Sequence, residues 1–262
     1  MNQYSNSVIK STVLQLMEIK GDAKRIHFDP KRDRFNLTHS LETSAHDELN
    51  ANRIIVDGKY IAIATQYPFD HQLEAHLQMI IDNRTPALVI LASNRDIQNH
   101  KLPEYFSRSE TFGQIKTRST PVRRVELGNR IEAYVFKMEV TGYQASIDIP
   151  VIHVHNWPDH QTVSPETTTS LVTLIESTIT EKRGFYEQEN DSAINHPEKM
   201  LPVIHCKAGV GRTGQTIAAL VMKRYPELSL ASITKDLRIS RNNSMIQTPV
   251  QMETLVKLEI NI

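Results

Sequence analysis

The string His205-Cys206-Lys207-Ala208-Gly209-Val210-Gly211-Arg212-Thr213-Gly214 packs one thiol, one guanidinium and three glycines into ten residues. Residues 201–205 before it read as a strand and residues 213–225 after it as a helix. Glycines at 209 and 211 let a short loop turn tightly and aim successive N–H groups inward as an anion nest. The helix that follows adds its free N–H groups and positive dipole end at the same point. A cysteine so placed has a depressed pKa, typically ~3.5–7.5 against about 8.5 for a free thiol. The planar fork of Arg212 can face the same centre and grip two oxygens of a phosphoryl group. The chemistry implied is nucleophilic attack by Cys206 on a bound tetrahedral oxyanion. The bland alternative is a buried cysteine in a strand-to-helix turn with Arg212 as a surface charge. Composition alone favours it, because free cysteine packs as a small hydrophobe. The ten-residue string in a strand–loop–helix context weighs against it, and the Gly-Lys-Ser/Thr of a nucleotide-binding loop is absent.

The string resembles the signature of the protein tyrosine phosphatase family. The resemblance implies that Cys206 attacks phosphorus to form a phosphocysteine, that Arg212 binds the phosphoryl oxygens and that Thr213 assists departure of the thiolate. The cradle backbone from Lys207 through Ala208, Gly209 and Val210 to Gly211 would bind the phosphoryl group, and His205 would brace it. Inositol-lipid phosphatases often carry a second base where Val210 stands, so the substrate expected is phosphotyrosine in proteins. No cofactor and no metal are expected.

A departing phenolate needs a proton. Trp157-Pro158-Asp159 resembles the family's mobile acid loop, with Asp159 as general acid and then base, and the sole tryptophan, Trp157, as anchor. Read alone, the tripeptide is also an ordinary turn. The stretch from Arg241 to Thr248 resembles the family's glutamine loop. Gln247 would position water, with Gln251 as a second amide nearby; a helix-capping loop is the plainer reading. Leu49-Asn50-Ala51-Asn52 and Ala64-Thr65-Gln66-Tyr67-Pro68 resemble framework motifs whose polar side chains brace loops. Phe35 is the candidate aromatic wall for the substrate ring. Leu37 stands where the family often has an aspartate that grips the substrate backbone. Asp96 resembles the acid that orients the cradle arginine and can equally cap a helix.

The elements that must position these groups follow from pattern. A polar N-terminal stretch carries a weak helical stripe through Val8, Val13, Leu14 and Met17. Asp70 is a candidate cap for a helix whose apolar face is Leu73, Leu77, Ile80 and Ile81. Residues 87–92, 131–140 and 147–155 read as strands. Ser164-Pro165-Glu166 opens a helix with Leu171, Leu174, Ile175 and Ile179 inward. Residues 183–200 read as an exposed loop. Ser229 caps one further helix and Thr248-Pro249 opens the last. The interleaving predicts an α/β fold, a twisted mixed sheet flanked by helices. Residues 31–262 are expected to form one catalytic domain, and residues 1–30 a linker or extra helix.

The 262 residues carry 30 basic and 30 acidic side chains, so net charge gives no reason to expect a nucleic-acid partner. No apolar run approaches the ~18 residues that span a membrane. His153 and His155 share a strand face without a third clustered ligand, which argues against a metal. The basic stretch from Lys116 to Arg124 is a solvated face that could also attract acidic peptides. Asn83-Arg84-Thr85-Pro86 and the run from Pro202 to Arg212 look most like the phosphatase domains of bacterial effectors injected by type III secretion. That resemblance implies virulence, a host-cytosolic site of action, a monomer, and a secretion or chaperone-binding role open to the N-terminal segment.

Overall fold

The computed structural model describes residues 6–144 and 146–261. In chain order these form α1 (Asn6–Glu18), β1 (Arg25–Ile26), β2 (His39–Ser40), β3 (Ala51–Val56), β4 (Lys59–Thr65), α2 (Leu73–Asp82), β5 (Leu88–Ile90) and α3 (Asn94–Asn99). They continue with β6 (Glu110–Phe112), β7 (Ile115–Gly128), β8 (Ile131–Thr141), β9 (Ile147–Val154), α4 (Pro165–Gln188), β10 (Val203–His205), α5 (Gly211–Arg224), α6 (Leu230–Ser240) and α7 (Pro249–Asn261).

Eight strands make one mixed sheet in the order β3-β4-β10-β5-β9-β8-β7-β6. The centre is parallel: β10 pairs with β4 and β5, and β5 with β9. The flanks are antiparallel, built from hairpins. One of these turns on Asp57-Gly58, both at positive φ, which matches the sequence preference of a tight hairpin. The short central strands are buried on both faces and apolar except for His205, as a covered parallel sheet requires. Alternate residues feed two cores. Val89, Ile204 and Val154 join α1, α4, α5, α6 and α7 on one face. Leu88, Ile90 and Val203 join α2 on the other. Strand β10 is thus central, and its carboxyl end opens where α/β sheets bind ligands.

Three local expectations change. Asp70 does not cap α2; it lies in a 3-10 turn, Asp70–Gln72, that leads into the helix. Residues 183–188 are helical, because α4 runs for 24 residues and buries Tyr186 near its end; a short 3-10 turn, Ser192–Asn195, follows. The stripe of α1 faces the core through Val13 and Leu16, while Leu14 is 65% exposed.

The basic stretch forms β7, four strands from β10, or about 19 Å at ~4.8 Å per strand. Arg118 pairs with Glu139 and Arg124 with Glu132, both on β8, so this charge serves the sheet surface rather than the cradle. His153 is buried and bonded to the Ala92 carbonyl at 2.9 Å, and burial pushes its pKa down to about 4. Among the described residues no three His, Cys, Asp or Glu side chains are grouped as a metal site.

Besides the packing of Val13 and Leu16, one buried side chain ties the C-terminal end of α1 and the residues after it to the domain. The buried Arg238 of α6 donates to the carbonyls of Leu16 (3.3 Å), Met17 (2.9 Å) and Ile19, and to Met245 O at 3.2 Å. Arg238→Met should remove these charged hydrogen bonds and lower unfolding stability by about 2–3 kcal/mol. Urea denaturation would show a lower midpoint with an unchanged slope; an unchanged midpoint would refute the role of this contact.

Candidate active site

The loop between β10 and α5 is defined by where its carbonyls go. Five successive carbonyls, from Cys206 to Val210, are each bonded outward. Cys206 O meets His205 Nδ1 at 3.0 Å. Lys207 O accepts from Tyr67 N–H at 2.9 Å. Ala208 O and Gly209 O accept from Arg241 Nη2 (3.2 Å) and Nε (2.7 Å). Val210 O accepts from Ile246 N–H (3.1 Å) and Gly214 N–H (3.0 Å). With the carbonyls turned out, the N–H groups turn in, and those of Gly209 and Thr213 bond the Cys206 sulfur. Glycine is required at 209: φ is +70°, and a Cβ there would sit 2.1 Å from Thr65 O.

Arg241 is completely buried and also donates to Asn52 Oδ1 at 2.9 Å. Burial pushes its pKa down to about 10, which leaves it cationic at neutral pH. On the far side, Tyr105 Oη lies 2.7 Å from His205 Nε2 and 3.0 Å from His76 Nε2. A carbonyl only accepts, so His205 Nδ1 carries the proton toward Cys206 O and Nε2 accepts from Tyr105. Burial drives the His205 pKa to about 4, so the ring is neutral and this polarity is fixed.

Cys206 is 3% exposed. Burial alone would push its thiol up; the Arg212 guanidinium, the Thr213 hydroxyl at 3.3 Å and the two backbone N–H groups outweigh it and hold the thiol below its usual value. Arg212 is 1% exposed. Its Nη1 donates to Asp96 Oδ2 (2.7 Å) and Trp157 O (2.8 Å), and its Nη2 to Asp159 Oδ1 (2.9 Å). Burial of Arg212 is opposed by these anions and the thiolate, which keep it charged. Asp96 also closes a capping box with Ser93 at the start of α3, so capping and orientation of Arg212 fall on one carboxylate. Burial raises the Asp96 and Asp159 carboxyls, yet Arg212, with Lys207 at Asp159, brings both below the usual range.

Asp159 lies over the cradle on a loop anchored by Trp157, which is buried in the core with its ring N–H on Gln161 O at 2.9 Å. Gln251 Nε2 donates to the same carbonyl at 3.2 Å. A Cβ on Gly211 would meet Gln247 Oε1 at 3.0 Å and Gln251 Nε2 at 3.1 Å, so both amides border the start of α5. Ile246 before Gln247 has φ +61°, a region β-branched residues seldom adopt, and its N–H bond to Val210 O stabilises this turn. Phe35 is half-buried with its ring 5.8 Å from Lys207 Nζ. The framework motifs fix its segment: Gln66 bonds Arg34 N–H and Arg32 O, and Asn50 bonds Asp33. Leu37 packs its side chain against the core.

The fold therefore brings Cys206, Arg212, Thr213, Asp159, Asp96, His205, Trp157, Gln247 and Gln251 to one cradle and its rim, with Phe35 and Lys207 at the edge. Sequence reasoning gave no role to Arg241 or Tyr105. Nothing local marks either as buried against the loop, 32 and 100 residues away. The arrangement is a thiolate under a cationic fork, ringed by donors suited to a tetrahedral oxyanion.

Comparison with known proteins agrees. The family model described as protein-tyrosine phosphatase matches residues 22–261. The chain is 41% identical over 222 residues to tyrosine-protein phosphatase YopH of Yersinia pseudotuberculosis, covering 83% of this chain and 47% of that protein. It is 35% identical over 213 residues to the secreted effector protein SptP of Salmonella paratyphi A, covering 80% and 38%. It thus spans about half or less of the length of these curated relatives. Human tyrosine-protein phosphatase non-receptor type 7 is 28% identical over 215 residues, covering 80% and 54%. A solved structure described as the structural basis of the PTPN18 fingerprint on distinct HER2 tyrosine phosphorylation sites shares the fold, with a TM-score of 0.67, 21% identity and coverage of 89% and 83%.

Arg212→Met should raise the Cys206 titration midpoint by about 1–3 pH units, since a cation beside the thiolate is lost. The pH dependence of alkylation by iodoacetate reads this directly; an unmoved midpoint would reject Arg212 as the source of the depression. Cradle, acid loop, framework and family match together establish that this chain belongs to the protein-tyrosine phosphatase family.

Proposed function

We propose that this chain is the catalytic domain of an enzyme that hydrolyses phosphotyrosine in proteins through a phosphocysteine at Cys206. One observation carries the reading: the Cys206 sulfur accepts from the N–H groups of Gly209 and Thr213 and the Thr213 hydroxyl, beside the Arg212 guanidinium, and these outweigh its burial and hold it below its ordinary pKa. The Cys206 thiolate attacks phosphorus, the bond from phosphorus to the tyrosyl oxygen breaks, and the Asp159 carboxyl gives its proton to the departing phenolate. Water then attacks the phosphocysteine and passes a proton to Asp159. Sulfur leaves as a thiolate that the Thr213 hydroxyl stabilises. Gln247 and Gln251, bordering the start of α5, orient that water.

In the resting site Asp159 is ionised and paired with Arg212. A phosphoryl group takes the Arg212 fork and brings negative charge. Both changes raise the proton affinity of Asp159, and the carboxylate takes up the proton it later delivers.

Phe35 and the depth of the cradle, with Cys206 almost wholly covered, support an aryl rather than an alkyl phosphate. We read residues 31–262 as the catalytic unit and α1 as an added helix. The similarity to YopH and to the secreted effector SptP supports a bacterial secreted effector that acts on phosphotyrosine proteins. We further propose delivery by type III secretion, host phosphoproteins as substrates and a monomeric state.

Turnover of phosphotyrosine and phosphoserine peptides tests this reading. Release from phosphotyrosine alone is expected, and equal rates would refute the specificity. Cys206→Ser should retain phosphopeptide binding and lose turnover. Asp159→Asn should lower kcat by ~10²–10⁴-fold and remove the basic limb of the pH–rate profile. A retained limb would reject Asp159 as the acid.

A further inference from the structure

The mouth of the cradle holds a second cation that the mechanism above does not use. Lys207 Nζ lies 2.8 Å from Asp159 Oδ2, while Arg212 Nη2 lies 2.9 Å from Asp159 Oδ1. Each oxygen of the acid-loop carboxylate therefore has its own cation. The Lys207 backbone cannot drift, because its carbonyl is tied to Tyr67 N–H. Its stem is largely covered, with 15% of the side chain exposed, and the ammonium sits 5.8 Å from the Phe35 ring centre and 3.3 Å from His100 Nε2.

The two cations differ in what substrate does to them. A phosphoryl group at Cys206 competes for the Arg212 fork. Asp159 Oδ1 then loses its partner, while Oδ2 keeps Lys207, which projects from the rim. Resting on the phosphatase reading, we propose that Lys207 is a positioning residue of the reaction. Its ammonium holds Asp159, and with it the acid loop, over the cradle after Arg212 has passed to the phosphoryl group.

The charged and titratable groups facing Asp159 are Arg212 from α5, Lys207 from the cradle and His160, whose Nε2 is 3.6 Å away on the same loop. Behind Arg212 stand Asp96 and Cys206, and behind Lys207 stands His100. Arg212 and Lys207 both depress the Asp159 carboxyl. With Arg212 engaged by phosphate, Lys207 remains 2.8 Å from Asp159 Oδ2. Removing it lets Asp159 hold its proton to higher pH.

The test is a carbon-13 titration of the Asp159 carboxyl, assigned against Asp159→Asn, with and without saturating inorganic phosphate. In Lys207→Met the midpoint should rise by about one pH unit, the low end for loss of an adjacent opposite charge, in both conditions. Lys207→Arg should restore the wild-type value. With an aryl phosphate substrate, the basic limb of kcat should move to higher pH in Lys207→Met, and phosphate should induce a smaller change in the fluorescence of Trp157. An unmoved midpoint would overturn the proposal, as would a shift seen only without phosphate, which would confine the pairing to the empty site. The titration needs no turnover. If Lys207→Met shows the shift but the wild-type protein releases no phosphate from phosphotyrosine, the phosphatase reading fails and the clamp stands.

Discussion

Everything in this site depends on the outward rotation of five consecutive carbonyls, Cys206 through Val210. Each accepts a hydrogen bond from a group outside the loop: an imidazole, a backbone N–H, two nitrogens of one guanidinium, and the backbone of two neighbouring segments. A peptide unit that points its carbonyl out points its N–H in. The anion nest is thus maintained from behind, and in the proposed function the thiolate and an incoming phosphoryl group draw on the same donors. Preorganised donors of this kind need not reorient when charge develops on phosphorus.

That constraint explains why the fold is spent as it is. Strand β10 is central and parallel to both neighbours, so the loop starts from a rigid point at the carboxyl edge of the sheet. Helix α5 lends its first turn to the nest, and Gly214 lets it pass close to Ile246, where a Cβ would lie 2.4 Å from the backbone nitrogen. Arg241 is the costly member: a guanidinium with no exposed surface must have its donors bonded, and Gly209, Ala208 and Asn52 satisfy them. Arg212 is as deeply buried but has a different duty. It is surrounded by anions, Asp96, Asp159 and the Cys206 sulfur, of which Asp159 is carried on a separate loop. In the proposed function, one buried arginine serves structure and the other serves substrate. The contrast lies in their partners: carbonyl and amide oxygens alone for Arg241, and two carboxylates with the Trp157 carbonyl for Arg212.

The cradle was legible in the sequence because all its covalent parts lie within ten residues and their spacing has a physical meaning. The caps at Ser164 and Ser229 and the buried strands 88–90 and 203–205 were legible for the same local reason. What the sequence hid is non-local. The bonds from Arg241 and Tyr105 to the cradle segment span 32 and 100 positions, and no periodicity announces a buried arginine. Strand β7 was hidden too, because Arg118, Arg123 and Arg124 are exposed with no clean inward–outward alternation, and Pro121 sits at an irregularity in the register with β8. The end of α4 was concealed by a charged run, Glu181-Lys182-Arg183, which reads as loop until Tyr186 is seen to be buried. Asp96 admitted two readings, cap and partner of Arg212, and the geometry realises both.

The central claim is that one residue, Cys206, is both the anion held by the nest and the atom that receives phosphorus. Rapid acid quench of the enzyme with a phosphotyrosine peptide, followed by mass analysis of the fragment carrying Cys206, tests it most directly. The account predicts a transient gain of one phosphoryl group on Cys206, decaying at the steady-state turnover rate. Turnover without that adduct, or an adduct on any other side chain, would contradict it.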